Sequence, residues 1–471
     1  MRTLNQIIQQ LTATEGAVKP AVFFAGIGGI GMSALARYFH ANGAIVSGYD
    51  KTETDLCRQL SKEGIRIVYE DSVELIDRKA VLVVYTPAIP ANHAGLSYYR
   101  SHNYPVYKRS EVLGAVTANT FSIAVAGTHG KTTTSSMIAH ILRHTEYGCN
   151  AFLGGISANY HTNFWSSPRP VSVVEADEYD RSFLKLNPDI AVITSMDADH
   201  LDIYGTPAHV EQAFVDFSRK VKSGGTLIAR LGLKREAELH AARSIRYDLH
   251  SEKASYRCLS IRMQGGGYVF DVAAKDTNWH LPGIELKMGG IHNVENMLAA
   301  ICVAHTLQIP DEKIKDAIRA YRGVRRRFEY VVAPGEHPDG HICVDDYAHH
   351  PAELRALIRG ARSLFPEKKC TVVFQPHLYS RTRDFADEFA EVLDEADEVI
   401  LLPIYPAREL PMEGVSSSLI GDKLKRNRPL LLEKEKLAVR VAEGDIELLL
   451  IAGAGDIDTL VRDVRQAMLE K

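Results

Sequence analysis

The run Gly127-Thr128-His129-Gly130-Lys131-Thr132 combines the residue types that a nucleoside triphosphate needs at the start of a helix. Glycines let backbone amides approach phosphate oxygens, a lysine neutralises the β and γ groups, and a hydroxyl can ligate magnesium. The apolar stretch 122–126 in front of it reads as a strand, so Lys131 and Thr132 stand at a strand-to-helix turn. Val125 takes the place of the first glycine in the eight-residue form of such loops. The competing reading is a chance Gly-Lys-Thr at a helix start.

Acids stand at two further strand ends. Val171, Val173 and Val174 run into Glu175-Ala176-Asp177-Glu178, and residues 190–194 run into Asp197-Ala198-Asp199-His200-Leu201-Asp202. Parallel sheets bind ligands at such ends. Magnesium takes only one or two protein carboxylates beside phosphate and water, so Glu175 with Thr132 would suffice. His200 is either a ligand to a second divalent ion or a structural hydrogen-bonder. Acidic runs also serve as helix caps and solvated turns. The pair His349-His350 and His377 has no third partner at a zinc spacing.

A second glycine loop, Gly26-Ile27-Gly28-Gly29-Ile30-Gly31, fits Gly-x-Gly-x-x-Gly between an expected strand and helix, where amides can hold a diphosphate. Asp50, 24 residues after Gly26, would take a ribose hydroxyl in a dinucleotide enzyme. Alone, the loop reads as NAD binding or as a tight turn that needs glycine. Beside the lysine-bearing loop it suggests two nucleotides, one as substrate and one as energy source.

Short apolar runs alternate with helix-period stretches throughout, which predicts an α/β protein of βα units on parallel sheets. Met32, Leu35, Ala36 and Phe39 share one face of a helix that ends at Gly43, and Met137, Ile138, Ile141 and Leu142 share a face of another before Gly148. The restart at residue 122 and the return of strands at 342–344, 371–374 and 447–451 divide the chain into segments 1–115, 116–327 and 328–471. Its 471 residues exceed what one core supports. With 45% hydrophobic and 24% charged residues the composition is globular, and a net charge of -4 offers no basic stripe to nucleic acid. Residues 1–20 lack a signal-peptide core, and no apolar run approaches the roughly 20 residues of a membrane span. Six scattered cysteines without a Cys-x-x-Cys pair suit a reduced, cytoplasmic protein.

Further motifs stand in order: Gly-Ile-His-Asn-Val-Glu-Asn (290–296), Arg-Arg-Phe-Glu (326–329), Asp-Asp-Tyr-Ala-His-His-Pro (345–351) and Phe-Gln-Pro-His-Leu-Tyr-Ser-Arg-Thr-Arg (374–383). Together with Gly26–Ala34, 126–133, 175–178 and 197–202 they make the chain resemble the Mur ligases of peptidoglycan synthesis over nearly its whole length. The resemblance implies a Rossmann-like UDP-binding domain, a central P-loop ATPase domain and a C-terminal Rossmann-like domain that closes over the site. It implies an ATP- and Mg2+-dependent ligase, monomer or homodimer, that joins L-alanine to the lactyl carboxylate of UDP-N-acetylmuramate through an acyl phosphate. Gly26, Gly28, Gly29, Gly31 and Asp50 then hold UDP rather than NAD. Gly127, Thr128, His129, Gly130, Lys131, Thr132 and Thr133 cradle ATP, with His292, Asn293 and Asn296 at its base, Arg327 at its phosphates and Asp346 at its ribose. Tyr347, His349 and Arg381 would contact the muramate, and His200 or His349 would assist the amine. Taken singly, Asn293 and Asn296 read as helix-capping amides and Arg327 as a surface cation.

Two departures stand out. Leu378 occupies a position where alanine-adding relatives carry arginine, and the helix after the Asp-His motif reads Ala213-Phe214-Val215-Asp216, without the lysine that later-acting relatives carbamylate. The rival within the family attaches a preformed tripeptide to the same sugar nucleotide. Outside it, an NAD-dependent oxidoreductase gives Lys131 no task, and a non-catalytic nucleotide-gated protein gives the acids none.

Overall fold

The computed structural model describes residues 3–12, 19–197, 201–275, 277–407 and 409–470. The first sheet joins β1 (Ala21–Ala25), β2 (Ile45–Tyr49), β3 (Arg66–Val68), β4 (Ala80–Tyr85) and β5 (Val106–Lys108) in the order β3-β2-β1-β4-β5. All its pairings are parallel. Every residue of β1 is buried, as expected of a central strand covered on both faces. The chain leaves β1 toward β2 and returns on the other side as β4, so the switch point lies between β1 and β4. Gly26 comes directly after β1 and Thr86 directly after β4.

The second sheet contains β6 (Phe121–Ala126), β7 (Asn150–Phe152), β8 (Phe164–Trp165), β9 (Val171–Ala176), β10 (Ile190–Ile193), β11 (Thr226–Arg230), β12 (Arg243–Asp248), β13 (Tyr256–Gln264), β14 (Gly267–Ala274) and β15 (His280–Leu286). Their order is β15-β14-β13-β12-β11-β10-β6-β9-β7-β8. Ala126 of β6 stands opposite Ala176 of β9 and Ile193 of β10, both parallel. The carboxyl ends of these three strands are therefore level, and the segments leaving them start from one edge of the sheet. The third sheet, β16 (Glu329–Val332), β17 (Ile342–Asp346), β18 (Cys370–Phe374), β19 (Glu398–Leu401), β20 (Leu430–Leu431) and β21 (Leu448–Ala452), runs β16-β17-β21-β18-β19-β20. Only β16 pairs antiparallel, at the edge.

The chain divides into two compact units. One holds Met1–Cys258, Val272–Leu281 and Asn296–Ile318, the other Leu259–Asp271, Pro282–Glu295 and Arg319–Lys471. Within the first, the helix Ile30–Ala41 after the first glycine loop joins the two sheets. Its Leu35 and Phe39 are at most 1% exposed, each contributing about 1.5–3 kcal/mol by burial. Its Tyr38 ring meets Phe152 at 5.3 Å and Phe164 at 6.1 Å. Asn163 donates to Ile30 O at 2.6 Å and to Ser33 Oγ at 3.0 Å, and accepts from Arg37, whose guanidinium also pairs with Glu63 at 2.7 Å. These bonds fix the first loop relative to the start of β8, which pairs with β7. No helix among the described residues is long and apolar enough to cross a membrane.

Candidate functional site

The lysine-bearing loop leaves β6 and enters the helix Lys131–His144. Gly127 lies at φ 139°, and a Cβ there would come within 2.0 Å of Thr194 Oγ1, so the loop passes too close to the end of β10 for any side chain. Gly130, at φ 83°, leaves a Cβ only 2.7 Å from Asn296 Oδ1. Thr194 Oγ1 donates to His129 O at 2.5 Å, Ser195 Oγ accepts from His129 N at 2.8 Å, and Thr128 Oγ1 donates to Asp197 O at 2.7 Å. The residues after β10 thus brace the loop from outside. Thr133 is buried in the first turn of the helix.

Lys131 Nζ donates to Gly127 O at 2.7 Å and lies 2.9 and 2.8 Å from the two oxygens of Glu178, a residue only 1% exposed. The Glu178 carbonyl in turn accepts the Tyr204 hydroxyl at 2.6 Å. The ammonium is held folded over its own loop. Beside it, Glu175 accepts from Thr132 Oγ1 at 3.0 Å, Ser135 Oγ at 3.3 Å and Gly154 N at 2.5 Å. Desolvation at the strand end pushes the Glu175 carboxyl pKa up, against the opposing pull of the Gly154 amide and Lys131. A carboxylate and a hydroxyl in contact form the hard oxygen donor set that magnesium prefers, so these residues fit that ion. His200 lies outside the described residues.

The first glycine loop faces the same carboxylate. A cavity of about 270 Å³ is lined by Gly29, Ile30 and Gly31, then by Thr86 and Arg109, and finally by Gly154, Glu175 and Asp177. The Arg109 guanidinium closes on the loop, 2.9 Å from where a Gly31 Cβ would sit. Gly26 takes φ 87° and donates to Tyr49 O at 2.7 Å. Gly28 N donates to Asp50 Oδ2 at 2.8 Å, and a Cβ on Gly28 would press within 2.9 Å of that oxygen. Asp50 therefore braces the glycine turn itself.

The second unit carries its own polar cluster after β17, β21 and β18. Asp346 accepts from Phe328 N at 2.7 Å and Ala348 N at 2.8 Å, and burial raises its pKa to about 6. Its neighbour Asp345, 2% exposed, is raised by burial to about 7 although Arg326 lies 3.9 Å away. The Arg326 and Arg327 guanidinium carbons stand 5.0 and 5.6 Å from the Tyr347 ring centre. Burial lowers the His349 pKa, and its Nδ1 lies 2.8 Å from Tyr347 O. The His377 ring is 5.9 Å from that of His349, and one Arg381 guanidinium nitrogen is buried without a hydrogen-bond partner among the described residues. Leu378 sits at φ 70° and donates its N–H to Tyr405 O at 2.9 Å.

The expected base-contacting residues fare unevenly. His292 opens the helix Ile291–Thr306 as an exposed residue, whereas Asn293 spends its side-chain amide on Gly289 O at 2.7 Å. Asn296 lies against Gly130 of the lysine loop. The helix Pro207–Ser218 carries no lysine, and its Phe214 is buried against Phe183 with ring centres 5.3 Å apart. Sequence reading missed Arg109, Thr86, Ser135 and the pairing role of Glu178. Arg109 stands immediately after a parallel strand, the signal by which it could have been found.

Three family profiles match in series. These are the Mur ligase family catalytic domain at residues 22–120, the Mur ligase middle domain at 125–304 and the Mur ligase glutamate ligase domain at 326–455. The UDP-N-acetylmuramate--L-alanine ligase of Flavobacterium johnsoniae is 46% identical over 458 residues, covering 95% of this chain and 98% of that protein. The enzyme of the same name from Cytophaga hutchinsonii is 45% identical over 454 residues, or 94% and 96% of the two chains. Among solved structures, the UDP-N-acetylmuramate-alanine ligase MurC of Thermotoga maritima superposes with a TM-score of 0.80 at 29% identity, over 95% of this chain and 98% of that one. A murein peptide ligase from Psychrobacter arcticus shares the fold, with a TM-score of 0.66 at 20% identity over 96% and 99%.

Proposed function

The chain belongs to the Mur ligase family, and we infer from that premise that it joins L-alanine to the lactyl carboxylate of UDP-N-acetylmuramate, using ATP. The observation that carries the reading is the cavity in which the first glycine loop and Arg109 face Glu175, itself bonded to Thr132 of the lysine loop. A diphosphate-bearing acid held at the first loop would thereby reach the nucleotide held at the second. The tripeptide-adding alternative has only fold-level likeness behind it, at 20% identity.

A carboxylate in water is a poor electrophile, so one of its oxygens must first become a leaving group. The lactyl carboxylate attacks the γ-phosphorus of ATP, and ADP leaves with the bridging oxygen. The alanine amine then attacks the acyl phosphate carbon, loses a proton and expels phosphate. Lys131, aimed by Glu178, places positive charge beside the negative charge carried by the oxygens of the transferring group. Thr132 and Glu175 would hold Mg2+, which when bound neutralises phosphate charge. Gly127 to Thr133 form the ATP cradle, with Asn296 against its floor. Arg109 and the amides of Gly28 to Gly31 take the diphosphate of the sugar nucleotide. Within the second unit, Arg327, Tyr347, Arg381 and His349 form a polar cluster of its own, in which burial lowers the His349 pKa and favours the neutral imidazole. The six buried, unbridged cysteines suit a protein working in the reducing cytoplasm.

Phosphate release from ATP, measured with UDP-N-acetylmuramate and each amino acid in turn, tests the assignment. Turnover should need both the sugar nucleotide and L-alanine. Equal turnover with a tripeptide, or none with alanine, overturns it.

A further inference from the structure

We propose that His337, Asp339 and His341, on the turn joining β16 to β17, form a site for a divalent transition-metal ion, separate from the nucleotide chemistry. One ligand atom from each lies within 4.8 Å of the other two. The turn is closed by its own bonds: Gly340 N donates to His337 O at 3.0 Å, and Asp339 N donates to His337 Nδ1 at 3.1 Å. Gly340 takes φ 72°, a left-handed conformation that glycine adopts without strain, and this reverses the chain so that residues 337 and 341 meet. Their imidazoles lie parallel, 4.3 Å apart with an 11° tilt. His337 is 4% exposed and gives up the Asp339 N–H bond at its Nδ1 when it ligates, whereas Asp339 is exposed and can swing to complete the set.

The donor chemistry selects the ion. Two imidazoles and one carboxylate suit Zn2+, Co2+ or Ni2+, whereas Mg2+ and Ca2+ prefer oxygen throughout. Zinc bonds of about 2.0–2.2 Å require the three ligand atoms to close in and the two imidazole planes, parallel as they stand, to turn toward a common point, so both the His341 ring and Asp339 must rotate. Three protein ligands leave a coordination position for water. None of the three residues belongs to the proposed catalytic or binding sets, so the ion acts on the turn that leads into β17. It stabilises the folded chain in proportion to its binding, because the unfolded chain has no such arrangement.

The test uses the full chain, freed of metal by chelation and titrated calorimetrically with Zn2+ and, separately, Mg2+. Wild type should bind one more equivalent of Zn2+ than His341→Ala or Asp339→Asn, or hold it at least about tenfold more tightly, since even losing an outer-shell partner costs about 10–100-fold. Mg2+ should not distinguish the three proteins. X-ray absorption of wild type carrying one equivalent of Zn2+ should show two imidazole ligands, a readout independent of how the variants fold. Unchanged zinc stoichiometry and affinity in both variants, or a spectrum with one imidazole or none, overturns the proposal.

Discussion

Replacing Lys131 by alanine removes one charge that has two tasks, and the structure allows them to be separated. Glu178 is 1% exposed and has the Lys131 ammonium 2.8 Å away, so alanine at 131 leaves an uncompensated buried carboxylate. Breaking such a pair costs about 3–5 kcal/mol; Lys131 retains 17% exposure, which places the loss near the lower end. At about 1.5–2 °C per kcal/mol for a unit of roughly 300 residues, the melting temperature should fall by about 5 °C. Loss of one preorganised positive contact to the transferring phosphoryl should separately reduce turnover by about 10²–10³-fold. In Lys131→Ala/Glu178→Gln the stranded charge is gone, so melting should recover most of the way while phosphate release stays at the level of the single variant. Both quantities come from one set of proteins, by scanning calorimetry and a coupled phosphate assay. If the double variant regained turnover along with stability, Lys131 would be only a counter-ion to Glu178 and the assigned chemistry would be wrong.

Gly127→Ala forces a Cβ within 2.0 Å of Thr194 Oγ1 at φ 139°, so a loss of about 1–3 kcal/mol and a raised KM for ATP should appear together in melting and steady-state assays. Arg109→Ala should raise KM for UDP-N-acetylmuramate about tenfold or more while leaving KM for ATP unchanged, since a charge-assisted bond contributes about 1.5–3 kcal/mol; equal effects on both would remove Arg109 from the sugar-nucleotide site. Burial lifts the Asp345 pKa from 3.8 to about 7, so the folded chain favours its protonated form. That stabilisation is full below about pH 4 and lost as pH rises toward 7, so Asp345→Asn should flatten the pH dependence of melting and gain at most about 4 kcal/mol at pH 8.

Strands with a glycine loop or an acid at the end were readable because parallel sheets make them so. The expected strand at 122–126 is β6, and that at 171–174 extends through Glu175 as β9. What the one-dimensional pattern lacks is strand order. Glu175 and Thr132 stand 43 residues apart in sequence, and only the parallel register of β6 with β9 puts them in contact. Arg109 was invisible for a related reason. Its neighbourhood reads as an ordinary basic strand end, and it matters because β5 lies two strands from the glycine turn in the same parallel sheet. At Asp50 the spacing suggested a ligand contact but gave no sign that one carboxylate oxygen also accepts from Gly28 N across the glycine turn.

The acidic run at 175–178 explains why composition alone could not divide the labour. Glu175 is the last residue but one of β9, so its side chain emerges at the strand end, open to the cavity beside Thr132. Desolvation there raises its pKa, and a bound cation would favour its charged form. Glu178 comes after the chain has left the strand, and Tyr204 pins its carbonyl, so its carboxylate turns inward to Lys131. Two glutamates three residues apart thereby meet different fields, one suited to a metal ion and one to aiming an ammonium. The difference arises because β9 ends at Ala176, between the two glutamates. Shifting the strand end by one residue would send Glu175 to the opposite face of the sheet and disconnect it from Thr132.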